Sequence, residues 1–459
     1  MYSSFHKSII RAYDIRGIVS DTLHVKDAYL LGRKFANDIF EKFKNLRIVV
    51  GYDGRLSSPI LEKELILGLK DGGAEVIRIG LCPSPMLYFA SKTLDSDGAI
   101  MITGSHNPAQ YNGFKILSRE NSYYGEEIQN LAKKNITNKS NRLGKILEFQ
   151  LKEAYLKRIT EDLQNIKKDI KVVWDPGNGS SAEVLKSLIN IIPGEHIILN
   201  GKVDGTFPSH HPDPTVEKNL IILKKTVRSV KADVGIAFDG DGDRIGVIDE
   251  EANFISGDQL LLIFSEELLK YYPGAKIISD VKASNIVFKQ IKKLGGNPII
   301  WKTGHSLIKT KMKETGALLA GEMSGHVFFA DRYLGFDDAI YASLRLLEII
   351  SRKKPLKQYL TAFSEVISTP EIKIECEDAL KFRVMDKCKQ IVKKRFKNYS
   401  LIDGIRVQNS EGWWLLRASN TQPALIIRCE ASSKMYLESL IDEVENLLSS
   451  AGFKRKLKT

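Results

Sequence analysis

Short apolar runs and longer amphipathic stretches alternate along most of this chain. Three segments repeat one pattern: a basic residue, three mostly apolar residues, a polar turn with Asp, then an amphipathic helix. They are Arg47-Ile48-Val49-Val50 before Asp53, Lys171-Val172-Val173-Trp174 before Asp175, and Lys276-Ile277-Ile278-Ser279 before Asp280. Each opens a stretch of roughly a hundred residues in which strands alternate with helices. The spacing predicts three similar mixed α/β domains whose sheets are covered on both faces. Asp53, Asp175 and Asp280 fall at the carboxyl ends of strands, where such folds carry their functional loops; each would also serve as a helix N-cap.

An amphipathic pattern over residues 147–163, with Leu151, Tyr155, Ile159 and Leu163 on one face, predicts a helix at the first boundary. Beyond Ser368-Thr369-Pro370 the order changes. A strand at 372–374, a helix at 378–396, strands at 401–407, 413–417 and 425–429, and a helix at 435–448 predict a C-terminal α+β domain. The expected domains are 1–150, 151–253, 254–367 and 368–459.

Composition adds limits rather than chemistry. The chain has 459 residues, 43% hydrophobic and 27% charged, ordinary for a globular protein and too long for one core. Cys82, Cys376, Cys388 and Cys429 are scattered, without a C-x-x-C pair, which points to reduced thiols. The N-terminus lacks the apolar core of a signal peptide, and no apolar run nears the ~20 residues of a membrane span. A cytoplasmic protein is therefore expected. The net charge of +12 fits either a polyanion or a lysine-rich surface around a site for small phosphorylated molecules. Lysines are dispersed and no aromatic-interleaved basic motif occurs, which favours small phosphates over nucleic acid.

The densest chemistry is Asp239-Gly240-Asp241-Gly242-Asp243-Arg244. Three carboxylates at alternate positions form either a solvated acidic turn or a site for a hard cation such as Mg²⁺ or Ca²⁺. With Glu250 at the twelfth position the spacing mimics a calcium-binding EF-hand, but Arg244 replaces the required Gly. The flanks Val234–Phe238 and Ile245–Ile248 read as strands, not helices. An arginine beside a metal suggests a phosphate held by both charges.

Three further loops stand out. Thr103-Gly104-Ser105-His106-Asn107-Pro108 follows an apolar run, and its serine lacks the flanking glycines of a hydrolase elbow. Ser105 could instead carry a phosphoryl group, with Lys115 balancing its charge or moving protons. Gly321-Glu322-Met323-Ser324-Gly325-His326 offers acceptors and donors suited to sugar hydroxyls. Arg417-Ala418-Ser419-Asn420-Thr421 reads either as a phosphate cradle or as a polar turn. Tyr13 and Arg16 lie in an N-terminal segment too polar to be core.

Together and in this order, these motifs resemble the α-D-phosphohexomutase superfamily over the whole chain. Within it the chain is most similar to bacterial phosphomannomutase/phosphoglucomutase enzymes, whose pattern also includes Ala12-Tyr13-Asp14-Ile15-Arg16-Gly17, His211-Pro212-Asp213-Pro214 and Thr303-Gly304-His305. The resemblance implies a four-domain architecture and interconversion of hexose 1- and 6-phosphates through a phosphoserine and a reorienting 1,6-bisphosphate. It implies that Ser105 is phosphorylated and that Asp239, Asp241 and Asp243 bind one Mg²⁺ together with its phosphoryl oxygen. Glu322 and Ser324 would hold sugar hydroxyls, and Arg417, Ser419, Asn420 and Thr421 the unreactive phosphate. Tyr13, Arg16, Lys282, Thr303, Gly304, His305 and His326 match further ligand-contacting positions. His106, Lys115 and Arg244 match the catalytic surround of Ser105, with His106 and Lys115 as proton-transfer candidates. Expected partners are hexose phosphates, with hexose 1,6-bisphosphate as activator, no nucleic acid or membrane, and a monomeric state. Closure of the last domain would hinge near Thr369-Pro370. The alternatives are phosphoglucosamine mutase, against which Met323 speaks because those relatives commonly carry Gln there, and a non-catalytic phosphosugar-binding protein.

Overall fold

A computed structural model describes residues 4–43, 46–119, 121–136, 144–163, 166–167, 169–352, 354–419 and 423–457. In the first sheet, strand Arg47–Tyr52 lies between Glu75–Leu81 and Gly98–Ile102, parallel to both, and Tyr111–Ser118 runs antiparallel beside Gly98–Ile102. The second sheet repeats this arrangement. Lys171–Asp175 lies between Glu195–Ile198 and Val234–Phe238, and Ile245–Ile248 turns back beside the latter. The third repeats it again, with Lys276–Asp280 between Asn297–Trp301 and Leu319–Gly321, and Val327–Phe329 antiparallel. The central strands are rich in β-branched residues and buried apart from their ends, as helix-covered parallel sheets require. Strand Phe254–Ile255 pairs with Ile245–Ile248, so the second sheet runs on to Ile255.

The fourth sheet is antiparallel throughout, from Ile367–Ser368 to Ala424–Ala431, Gly412–Ala418, Ile405–Gln408 and Tyr399–Ser400, with Ile372–Glu375 also paired to Ala424–Ala431. Helices Asp378–Arg395 and Lys434–Ser450 cover it. Among the described residues no helix is long and apolar enough to cross a membrane.

Several local expectations are corrected. The helix foreseen over 147–163 is a short strand, Ile146–Glu148, followed by helix Lys152–Thr160. Ile146 and Leu147 lie on an exposed sheet edge rather than a helix face. The strand foreseen at 401–407 is interrupted. Gly404 takes φ +85°, and a Cβ there would meet the Leu416 carbonyl at 2.5 Å, so the chain turns before Ile405–Gln408. Asp53, Asp175 and Asp280 are not N-caps, positions taken by Ser57, Ser181 and Ser284. Thr369 is tied into the fourth sheet by bonds in both directions with Cys429, and Ile367–Ser368 pairs with the same strand, so residues 367–369 belong to the fourth domain's sheet.

The units interlock. One apolar core runs from Tyr88 and Tyr155 through Trp174 and Phe264 to helix Ala339–Ile350, which is buried over all but its last residue, with Arg345 paired to Asp331 and Glu348. Asp338 caps that helix, accepting from the Tyr341 amide at 2.9 Å and from the hydroxyls of Tyr155 and Tyr333 at 2.9 and 2.8 Å. The fourth domain docks on the third through Arg406. Its guanidinium lies 3.7 Å from the Trp413 ring and donates to the carbonyls of Val281 and Ala283.

Burial lifts the Asp338 carboxyl to about 6, above its usual 3.8, against the pull of its three donors. The folded chain thus binds this proton more tightly than the unfolded one. The stability it contributes is complete below about pH 3.8 and is lost as pH rises through about 6. Asp338→Asn should remove about 2–3 kcal/mol of that pH-dependent loss. Unfolding midpoints of both proteins across this range provide the check; parallel slopes would refute it.

Candidate active site

The three motif loops occupy one topological position. Each joins the third strand of its unit to the antiparallel fourth: residues 103–110 in the first, 239–244 in the second and 322–326 in the third. The repeated fold therefore delivers three chemically different turns to one centre.

Asp239, Asp241 and Asp243 are completely buried, each offering one carboxylate oxygen within 4.8 Å of the others. Gly242 turns the chain with φ +73°, and a Cβ on Gly240 would lie 2.5 Å from the Ser105 carbonyl. Glycine between the carboxylates lets the serine loop approach. Lys115, from strand Tyr111–Ser118, reaches Asp241 and Asp243 at 2.5 Å. Ser84, at the N-terminus of helix Ser84–Thr93, donates its amide to the Asp241 carbonyl and its hydroxyl to the Asp241 carboxylate. Burial penalises the Lys115 ammonium, yet Asp241 and Asp243 hold its pKa well above the usual value. Burial likewise opposes charge on Asp241, but Lys115 and Ser84 keep its pKa low. For Asp239, burial and its two neighbours act together and push the pKa far up. A cation would remove the need for that proton. The fit is favourable: Asp241 Oδ1 and Asp243 Oδ1 are buried without a hydrogen-bond partner, and the donor set is all oxygen.

Ser105 is held in the left-handed region, φ +48°, with its hydroxyl 2.9 Å from Asp239 Oδ2 and 3.4 Å from His106 Nδ1. Two residues impose that conformation. The buried Arg55 guanidinium donates to the carbonyls of Ser105, Asn107, Pro108 and Tyr111 at 2.6–2.9 Å. Asp53 accepts from Thr103 Oγ1, the Gly104 amide, Ser58 Oγ and Arg55 itself. A Cβ on Gly104 would meet the Arg55 guanidinium at 2.5 Å. His106 stays neutral, because burial and then Arg244 and Arg16 press its pKa well below the ordinary value. Arg16 donates to Asn107 at 2.7 Å and pairs with Asp14.

In the third loop Glu322 accepts from the Gly304 amide and lies 3.5 Å from Ser324 Oγ. Gly304 has φ +130°, and a Cβ there would strike the Tyr13 ring, whose hydroxyl donates to the Thr303 carbonyl at 2.6 Å. Arg244 Nε donates to His326 Nε2 at 3.0 Å, which leaves the imidazole proton on Nδ1, 3.1 Å from Asp337. Asp243, His326 and Asp337 also cluster closely enough for a metal. With its proton on Nδ1, His326 offers no lone pair to a metal there, so this cluster does not make a cation site. Lys309 closes it, pairing with Asp337 at 2.9 Å and donating to His305 Nδ1 at 3.3 Å, and His305 stacks on His326.

Arg417, in the fourth domain, pairs with Asp403 at 3.0 Å, and Asp403 accepts from the Thr303 amide at 3.0 Å. Lys381 donates to the Ser419 carbonyl at 2.7 Å. Asn420 and Thr421 lie outside the described residues. Lys282 pairs with Glu371 at 2.8 Å, and Asp280 lies 3.8 Å from it. The structure thus joins Ser105, the three aspartates, Lys115, Arg244, His326, His305, Glu322 and Tyr13 in one contiguous polar network. Sequence reading missed Arg55, Ser84, Lys309, Asp337, Lys381 and Asp403, and read Asp53 only as a strand end or helix N-cap. Their partners lie far away in the chain, so no local pattern marks them.

Sequence comparison matches four phosphoglucomutase/phosphomannomutase domain families in order. The α/β/α domains I, II and III cover residues 7–143, 153–253 and 256–366, and the C-terminal domain covers 371–447. A phosphomannomutase/phosphoglucomutase of Pseudomonas putida is 45% identical, over 95% of this chain and 94% of the relative. A phosphoglucomutase of Neisseria meningitidis is 41% identical over 97% of each chain. The crystal structure of a phosphoglucomutase/phosphomannomutase family protein from Burkholderia thailandensis superposes with a TM-score of 0.92 at 38% identity. It covers 99% of this chain and all of that one.

Arg55→Met should leave four loop carbonyls without their donor and Asp53 without its ion pair, destabilising the fold by about 3–5 kcal/mol. The milder Asp53→Asn should keep the fold while loosening the serine loop, lowering turnover about 10–100-fold. Calorimetry and steady-state rates on both variants would test this pair of expectations.

Proposed function

The chain belongs to the phosphoglucomutase/phosphomannomutase family, and on that premise we propose that it interconverts the 1- and 6-phosphates of glucose and mannose through Ser105. One observation carries the reading. Ser105 Oγ sits 2.9 Å from Asp239 in a buried triad of oxygen ligands with two orphaned carboxylate oxygens. A serine there has no base–acid triad to make it a hydrolytic nucleophile, but it is well placed to carry a phosphoryl group whose oxygen completes a metal shell.

In the proposed reaction the phosphoryl group leaves Ser105 Oγ for a hydroxyl of the bound hexose monophosphate. The P–Oγ bond breaks, a P–O bond to the sugar forms, and a neutral base takes up the hydroxyl proton and returns it to the departing serine oxygen. His106 is neutral and adjacent to Ser105, which suits it to that task. Lys115 is better suited to balancing charge than to moving protons, since two carboxylates hold its ammonium in place. A bound Mg²⁺ would neutralise developing charge on the transferred group. Arg244 is positioned beside it by His326. The resulting 1,6-bisphosphate turns end for end and returns its other phosphate to Ser105. Glu322 and Ser324 would hold hydroxyls that look alike in both orientations. Arg417 and Ser419 would hold the unreactive phosphate, the phosphate displacing Asp403 from Arg417. Glucose and mannose differ at C2, which this grip does not read.

Turnover of glucose 1-phosphate and mannose 1-phosphate should require Mg²⁺ and a trace of 1,6-bisphosphate, and glucosamine 1-phosphate should be the poorer substrate. Ser105→Ala should abolish the cycle, and chelation should do the same reversibly. Label from ³²P-bisphosphate should appear on Ser105. Absence of turnover with both hexoses would overturn the reading.

A further inference from the structure

A cavity of about 450 Å³ lies between helix Ser84–Thr93 of the first unit and helix His305–Thr315 of the third, and shares Lys309 with the candidate active site. That volume falls within the range of roughly 300–1,000 Å³ typical of small-molecule sites. Its walls are mixed: Met312, Leu334 and Phe336 are among the apolar residues, and Ser91, Asn121 and Thr310 among the neutral polar ones. Lys92, Lys309 and Lys313 all converge on it, and no carboxylate occurs among the described residues that line it. Lys92 and Lys313 are exposed. Partial desolvation and the ammonium groups of Lys313 and Lys309 depress the Lys92 pKa, with no acidic group offsetting them. Lys92 and Lys313 face this cavity without a counter-charge among the described residues, and Lys309, though paired with Asp337, adds a third ammonium to its wall, which makes a receptor for an anion.

We propose that this cavity binds a small organic anion with an apolar or aromatic body, and that its occupancy is transmitted to the active centre. Lys309 is the link. Its ammonium lies 4.1 Å from the Tyr88 ring centroid, pairs with Asp337 and donates to His305. Asp337 faces the Nδ1 proton of His326, which in turn accepts from Arg244. An anion in the cavity draws Lys309 outward and weakens its hold on Asp337. His326 and Arg244 then lose part of their positioning.

The binding half stands apart from the mutase reading; the coupling half rests on it. Fluorescence titration with anilinonaphthalene sulfonate, in saturating glucose 6-phosphate to fill the cleft, tests the first. Binding should be saturable and should survive the sugar phosphate. It should weaken about tenfold in Lys92→Met/Lys313→Met and disappear when Ser91→Trp fills the cavity. Displacement by glucose 6-phosphate, or unchanged binding in the double variant, would overturn the site. For the coupling, saturating probe should change kcat or KM at least about twofold in the wild-type chain and leave the double variant unaffected. The double variant should match wild-type turnover without probe. Unchanged kinetics in a catalytically active protein with probe bound would overturn the coupling, whereas failure of the mutase reading would show as absent basal turnover.

Discussion

Three carboxylates buried on one hairpin turn set the terms for everything around them. Two like charges about 4.8 Å apart repel by roughly 3–4 kcal/mol at an effective dielectric of 20, and fully ionised this turn would hold three such pairs. The turn offsets only part of that repulsion from its own residues, through the Arg244 guanidinium, whose Nε donates to His326. Further compensation comes from the first unit: Lys115 from its fourth strand and Ser84 from a helix N-terminus. The first two units are thereby fixed against each other at the point where the serine and the metal-capable triad meet. A cation is the remaining charge that the site has room for.

The threefold repeat explains how such different chemistry converges. Equivalent turns between the third and fourth strands carry Ser105, the aspartates and Glu322. Equivalent strand ends carry Asp53, Asp175 and Asp280, but these have diverged in their partners. Asp53 grips the serine loop of its own unit, Asp280 reaches the Met323 amide, and Asp175 binds His210 and Asn200. Rigidity is concentrated where geometry matters most, at the loop that Arg55 and Asp53 lock. The fourth domain is held to the third by polar contacts of Arg406, Arg428, Glu430, Asp403 and the Lys282–Glu371 pair.

Much of this was legible from the chain alone. Val234–Phe238 and Ile245–Ile248 emerge with the bounds expected, because β-branched runs ended by polar turns leave little choice. The pattern over 147–163 misled because an apolar residue on an exposed edge strand is indistinguishable in sequence from one on a buried helix face. The run at 401–407 misled because one glycine, forced into the left-handed region by the Leu416 carbonyl, breaks the strand. Local spacing cannot report a contact made across the sheet.

The same division applies to the site. The sequence by itself determined the chemistry: a hard-cation turn, a serine on a tight loop, a sugar-type loop and a basic C-terminal loop, each encoded by adjacent residues. Tertiary structure alone decided how charge and protons are distributed among them. Lys115 became a tethered counter-charge, His106 and His305 became neutral, and Arg55 became the clamp on the serine loop. Burial and the distance to a partner set those states. Both depend on segments separated by dozens to hundreds of residues, which meet only when the sheets are packed.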